Sequence, residues 1–288
     1  MKLGIFAKTF VRPTVEATLG AIAEHGLTEV QFNLSCCGLP TVPETVPPSV
    51  VRQVRQAFER RGLAMAALSA TFNLIHPNPA ERALGLSRLD GLTRVAGDLG
   101  TGLLTLCTGS RDAANMWRAH AENTTESAWE DLLRSMETAL TSAARANVVL
   151  GVEPELSNVI DSAARARRLL DHFRSPHLKI VIDPANLFPA GTLPQMTAIL
   201  NEAFDLLSGD VVLAHAKDLR RDGGAGDQAA GTGVLDYELY LDRLRAAGYG
   251  GALILHGLTE AQVQDSVRFL GGKLEPRWRP GHRTIATP

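Results

Sequence analysis

Read for polarity alone, the chain alternates between short apolar runs of strand type and longer stretches whose apolar positions recur at helical spacing. The short runs are KLGIFA (2–7), EVQFNL (29–34), LAMAALS (63–69), GLLTLCT (102–108), VVLGVEP (148–154), LKIVID (178–183), VVLAHA (211–216) and ALILHG (252–257). Helical periods occupy 14–25, 49–61, 80–99, 126–146, 159–173, 194–207, 236–247 and 259–270. Thr14 before VEATLGAIAEHG and Ser49 before VVRQVRQAFERRG stand where N-caps are expected, and each segment ends in a glycine of the kind that follows helices. Regular β-then-α alternation without a break in composition predicts one parallel sheet. Eight such units in this length predict a single (β/α)8 TIM barrel over residues 1–270, with a C-terminal extension, 271–288, around Trp278. A doubly wound open sheet competes with the barrel, but no G-x-G-x-x-G follows the first strand. The glycine-rich RRDGGAGDQAAGTG (220–233) reads as a mobile lid over the barrel mouth or as a plain flexible loop.

Charge narrows the partners. Lys and Arg number 29 against 31 Asp and Glu, so no overall field recruits nucleic acid or an anionic membrane, and recognition must be local. The longest apolar runs are too short to span a bilayer, and MKLGIFAKTFV, interrupted by Lys8, lacks the apolar region and cleavage site of a secretory signal. Three cysteines, two of them adjacent at Cys36 and Cys37, make no disulfide framework, and a cytoplasmic location is expected. A homo-oligomer, with the extension packed on a neighbouring subunit, stays open.

Polar residues gather where the predicted strands end. The fifth run ends in Glu153 with Glu155 two residues on, the sixth in Asp183, the seventh in His215 with Lys217 two residues on, and the eighth in His256. Taken singly, Asp183-Pro184 in KIVIDPANLF describes only a strand entering a turn. Recurrence over consecutive strands argues for a site, because a barrel brings those ends to one mouth. Two carboxylates and two imidazoles suit one divalent ion, with Mn²⁺, Zn²⁺, Co²⁺, Fe²⁺ and Mg²⁺ all candidates. Without a cation the two carboxylates are expected to repel, leaving one protonated. Glu155, Lys217 and His256 are the candidate acid or base groups, with a pair between Lys217 and Asp218 as the structural alternative for the lysine. In CTGSRD (107–112), Thr108, Ser110 and Arg111 stand at the end of the fourth run, where Arg111 is a candidate for holding a carboxylate or phosphate.

The segments GVEPE, VIDPANLF and AHAKD, followed by GTGVLDY and GYGGALIL, resemble the xylose isomerase-like TIM-barrel superfamily, especially its sugar phosphate isomerase/epimerase branch. They come in the family order, and the resemblance runs from the first strand to about residue 270. It implies that Glu153, Asp183 and His215 are metal ligands and that Asn186 faces substrate, where the family often carries a histidine. His76, in TFNLIHPNP, is similar to a histidine that lines the substrate pocket in the superfamily. Strand eight departs from the pattern: many members end it in a metal-binding glutamate, and this chain has His256 in LILHGL. In epimerases of this kind the glutamates of strands five and eight serve as opposed proton-transfer groups. An imidazole at the second position can be a ligand or a base, but not both through one nitrogen.

The expectation is therefore a divalent-metal-dependent isomerase or epimerase of a sugar, sugar phosphate or related keto-polyol, working through a stabilised enediolate. A lyase or dehydratase on a keto sugar or keto cyclitol is the second reading, and a non-catalytic sugar-binding protein the third. Trp117, in the loop after the fourth strand, stacks on a sugar face or merely packs. An endonuclease IV-type repair enzyme shares the barrel and the metal logic, but neither a basic balance nor the extra histidines of a multi-metal site are present in the sequence.

Overall fold

The computed structural model describes residues 1–274. In chain order its main elements are β1 (Lys2–Phe6), α1 (Val15–Glu24), β2 (Glu29–Phe32), α2 (Pro48–Arg61), β3 (Ala64–Ser69), α3 (Pro79–Leu99), β4 (Leu103–Cys107), α4 (Glu126–Ala146) and β5 (Val149–Glu153). There follow α5 (Ala163–Phe173), β6 (Leu178–Ile182), α6 (Met196–Leu207), β7 (Val211–Asp218), β8 (Gln228–Ala229), α7 (Tyr237–Ala246), β9 (Ala252–Leu255) and α8 (Val263–Leu274). Strands β1 to β7 pair in sequence, and β9 pairs in parallel with both β7 and β1, closing an eight-stranded parallel barrel. The expected (β/α)8 TIM barrel is thus the observed fold.

Side chains alternate along each strand, and the alternation sorts the sequence into two layers. Ile5, Val30, Phe32, Leu68, Leu104, Leu106, Leu150, Val152, Ile180, Ile182, Ala214, Ala216, Leu253 and Leu255 point outward into the main core beneath the helices. The opposite parity points into the barrel. There Ala67, Val181, Leu213, Ala252 and Ile254 form a separate small apolar cluster, with Phe6 and Leu103 against it. Gly4 belongs to this inner layer, and a Cβ on it would stand 2.3 Å from the Glu29 carbonyl oxygen, so only glycine lets β1 approach there. Continuing each strand by two residues carries the inward parity from this apolar floor to the polar groups of the mouth.

The helix boundaries follow local chemistry. Thr14 caps α1, its hydroxyl accepting from the Ala17 amide at 3.2 Å. Ser49 does not cap α2. That helix begins one residue earlier, at Pro48, where a proline forgoes only an amide that would have had no intrahelical partner. The period starting at 159 becomes helix only at Ala163, under the Ser162 cap. Val159 and Ile160 are buried in the preceding loop, and the Ile160 amide donates to Thr108 Oγ1. α8 runs to Leu274, into the segment expected as an extension, whose remainder, including Trp278, lies outside the described residues.

The glycine-rich stretch after β7 is neither a free lid nor a plain loop along its whole length. β8 folds back antiparallel on β7, with Lys217 opposite Ala229 and Asp218 opposite Gln228. The buried Asp218 carboxylate accepts the amides of Leu219 and Leu235 on one oxygen and those of Gly231 and Gly233 on the other. Four backbone donors on one carboxylate account for the order of the hairpin base. No described helix is long and apolar enough to cross a membrane.

Candidate active site

The inward-facing residues at the C-terminal ends of the strands line a cavity of about 460 Å³. Phe6 and Lys8 come from β1 and the turn after it, Gln31 and Asn33 from β2, Ser69 and Thr71 from β3, and Thr105 and Cys107 from β4. Glu153 and Glu155 continue β5, Lys217 lies on β7, and His256 follows β9. Met116 and Trp117 from the loop after β4 and Ala225 and Gly226 from the loop after β7 complete the wall. Trp117 is 51% exposed, so its indole is not simply packed.

Glu153, Asp183, His215 and Lys217 converge as the strand ends suggest. His215 Nδ1 lies 3.5 Å from Glu153 Oε1 and 3.4 Å from Asp183 Oδ2, and Lys217 Nζ lies 2.9 Å from Asp183 Oδ2. The lysine therefore pairs with Asp183, not with Asp218. Its ammonium also donates to Asn186 Oδ1 at 2.7 Å, while Asn186 Nδ2 donates to Glu153 Oε1 at 2.9 Å. Asn186 is fully buried behind these charges and holds them; it does not line the cavity.

The expectation that one carboxylate must be protonated in the absence of a cation is corrected by this arrangement. Burial opposes ionisation of Asp183, but Lys217 and then His215 overcome it and hold its carboxyl well below the usual range. Glu153 is likewise held low, with burial opposing and His215 prevailing. For His215 burial disfavours the imidazolium, yet Glu153 and Asp183 raise it to about 9. Lys217 is raised despite its burial by Asp183 and Glu153. An ammonium and an imidazolium thus balance two carboxylates, so charge balance alone does not require a metal.

Two buried atoms in this mouth, Glu155 Oε1 and His256 Nδ1, have no hydrogen-bond partner. Burial, then the neighbouring Glu153, raises Glu155 to about 7. Burial, then His215 and Lys217, lowers His256 to about 3, so its ring is neutral. The His256 ring stacks on two others, its centroid 4.9 Å from that of His215 at 11° and 5.3 Å from that of Phe6 at 29°.

The donor chemistry fits a divalent ion. One ligand atom each from Asp183, His215 and His256 lie within 4.8 Å of one another, and Glu153 faces the same His215 nitrogen. Gln31 supports that reading. His215 Nε2 donates to Gln31 Oε1 at 2.8 Å, and Gln31 Nε2 donates to Ser69 Oγ at 3.4 Å and Thr105 Oγ1 at 3.3 Å. With Nε2 carrying this hydrogen bond, Nδ1 is the nitrogen presented to the carboxylates, which is how a second ring nitrogen orients a ligating histidine. Sequence reasoning missed Gln31, Ser69 and Thr105. Their signal was present: each is a polar residue of inward parity inside an apolar run, as in EVQFNL and GLLTLCT.

Two expected substrate contacts stand elsewhere. Arg111 turns away from the cavity, where Nη2 pairs with Asp131 Oδ2 at 2.6 Å and its guanidinium donates to the carbonyls of Ile75 and Ser127. With its guanidinium paired to Asp131 and bonded to two carbonyls outside the cavity wall, Arg111 is not placed to hold a phosphate there. His76 does not line the cavity either; Nε2 meets the Ala113 carbonyl at 3.1 Å and Nδ1 accepts from the Asn78 amide. Thr108 and Ser110 are likewise spent on loop contacts, Ser110 Oγ donating to the Arg118 carbonyl.

A family model described as xylose isomerase-like TIM barrel matches residues 19–272. No curated protein sequence matches the chain. Among solved structures, the apo form of 3-keto-D-glucoside 4-epimerase from E. coli aligns with a TM-score of 0.72 at 18% identity, covering 94% of this chain and 99% of that one. A D-tagatose 3-epimerase-like protein aligns at 0.76 and 15% identity over 96% and 97% of the two chains. An L-ribulose 3-epimerase aligns at 0.73 and 16% identity over 97% and 99%. At these identities the structural likeness speaks for the fold.

Proposed function

The chain belongs to the xylose isomerase-like TIM barrel family, and we propose that it is a divalent-metal-dependent isomerase or epimerase of a sugar or related keto-polyol, acting through an enediolate. The observation that carries the reading is the coexistence, at one mouth, of a clustered donor set and a carboxylate with one oxygen unpaired. Asp183, His215 and His256 gather their ligand atoms, while Glu155 Oε1 has no partner. The epimerases with similar structures support the substrate class.

Glu153, Asp183, His215 and His256 would hold the ion. When bound, it supplies Lewis-acid polarisation of a carbonyl and stabilises developing negative charge. Glu155 at about 7 is suited to take a proton from carbon and return it near neutral pH. Lys217, fixed by Asp183 and Asn186, presents a cation to the charge that develops as the proton leaves. Gln31, Asn33, Ser69, Thr71 and Thr105 line the same cavity with neutral hydrogen-bonding groups, matched to hydroxyls. His256 acts as a ligand in this scheme, leaving proton transfer to Glu155.

One feature favours a second reading. Where the family pattern has two glutamates, this mouth has an imidazole and a glutamate, so return of the proton to the other face lacks an opposed carboxylate. Loss of a β-substituent from the same enediolate, the lyase or dehydratase reaction, needs no such group.

Metal analysis comes first, on the parent protein and on Glu153→Ala, His256→Ala and Asp183→Asn. One ion per chain, with occupancy reduced in all three variants while the far-ultraviolet circular dichroism is retained, is expected. Incubation with keto sugars in D2O then reads the chemistry. Deuterium incorporated beside the carbonyl supports proton transfer, and a product lighter by water selects the lyase. Absence of metal after reconstitution, together with ligand-induced stabilisation and no exchange, would replace the enzyme reading with a sugar-binding protein.

A further inference from the structure

We propose that this mouth is built for a nitrogen-preferring transition ion of the zinc, cobalt or iron class rather than for magnesium or manganese, and that His256 sets the preference. The inference rests on the reading of the mouth as a metal site and extends it to the class of ion.

The donor set differs from a carboxylate cage in its nitrogen content. His215 presents Nδ1 towards Glu153 and Asp183 because Gln31 engages Nε2, and Gln31 is itself held by Ser69 and Thr105. The second imidazole is fixed as firmly by different means. His256 stacks against both His215 and Phe6, and its backbone amide donates to the Ala216 carbonyl. A ring at this position gains both stacking contacts, whereas a carboxylate there would meet the negative face of Phe6. Ligand atoms of the two imidazoles and of Asp183 lie within 4.8 Å of one another, and His256 Nδ1 is buried without a protein partner. Cys107 adds a polarisable neighbour, its Sγ lying 3.9 Å from Glu153 Oε2.

Magnesium favours all-oxygen sets and keeps its water, and manganese stands lowest in the series for nitrogen donors. Replacing one of three carboxylate ligands by a second imidazole therefore strengthens zinc, cobalt or iron binding more than manganese binding. Zinc outranks manganese at nearly any mixed site, so the informative quantity is the ratio of their affinities and its change on substitution.

Equilibrium dialysis of Zn²⁺ and, separately, Mn²⁺ against the parent, His256→Glu and His256→Gln measures that ratio. The expected result is a zinc-to-manganese ratio that falls about tenfold or more in His256→Glu. A second readout uses the parent protein loaded with Co²⁺, whose proton NMR spectrum should show two hyperfine-shifted exchangeable imidazole N–H resonances, reduced to one in His256→Gln. Metal bound with an unchanged ratio overturns the proposal and leaves the metal site standing. A single shifted imidazole resonance in the parent overturns it even where the variants fail to fold. Failure of the parent to bind either ion removes the metal reading and the proposal together.

Discussion

The ion cluster around Asp131 and the one around Asp183 differ in whether their buried polar atoms are all paired. Around Asp131, the carboxylate meets Arg111 at 2.6 Å, Arg82 at 3.2 Å and Arg134, while Arg111 donates to the carbonyls of Ile75, in the loop after β3, and Ser127, in α4. This cluster joins the loops after β3 and β4 to α4 and does not line the cavity. Around Asp183, two cations balance two carboxylates, yet Glu155 Oε1 and His256 Nδ1 remain without partners among the described residues and the cluster opens on a cavity of about 460 Å³. Buried polar atoms without partners are costly. Unpaired atoms that face a cavity, absent from the Asp131 cluster, are what support the second cluster as the proposed ligand site.

The comparison can be broken most forcefully at Arg111. Arg111→Met leaves Asp131 short of its most buried partner, and breaking a buried pair from one side is expected to cost about 3–5 kcal/mol in chemical denaturation while metal affinity is unchanged. A loss of metal or activity beyond the loss of folded protein would mean that the two clusters are not separate in function.

Glu155→Gln tests the other cluster and should behave oppositely. Turnover is expected to fall by about 10²–10⁴-fold, the usual contribution of a positioned proton-transfer group. Stability should hold or rise. Glu155 is raised to about 7 from its ordinary 4.5, so its contribution to stability is greatest below 4.5 and declines as pH rises through 7. Denaturation of the parent across that interval should show the decline and the variant should not. The rate limb that rises through about pH 7 should vanish with it.

His215 gives a third effect, visible without substrate. Its value is about 9 in the fold against 6.5 for an unperturbed histidine, so the stability it contributes is complete below 6.5 and lost as pH rises through 9. In the proposed site a zinc ion would take the same nitrogen, so melting temperatures measured from pH 7 to 10 should decline in the metal-free protein and decline less with Zn²⁺ present. Equal slopes would argue that His215 is not a ligand.

The smallest effect is the sharpest test of orientation. Gln31→Leu removes the acceptor of His215 Nε2 and should weaken metal binding by about 10–100-fold without abolishing it, read by competition with a chelator. Unchanged affinity would mean that packing against His256 alone orients the ring.

Much of this architecture was legible in the pattern of the chain. Strand and helix identities are local properties of polarity and capping, and Glu153, Asp183 and His215 could be grouped because each ends an apolar run whose neighbours are also strands. The errors were equally local. Ser49 resembles a cap, but Pro48 begins the helix, and the glycine-rich stretch looks free until Asp218 collects its amides.

By itself the sequence determined the barrel, its inward and outward layers, and the convergence of carboxylates and imidazoles at one mouth. Pairings across the chain were decided only by tertiary structure. Gln31 and His215 are 184 residues apart, and no spacing rule joins them until the sheet closes. The same closure turned Arg111 and His76 away from the cavity and set Lys217 against Asp183 rather than Asp218. Local periodicity fixes which way a side chain points from its own strand. Only the closed barrel decides what it meets there, because its partners come from strands distant in sequence.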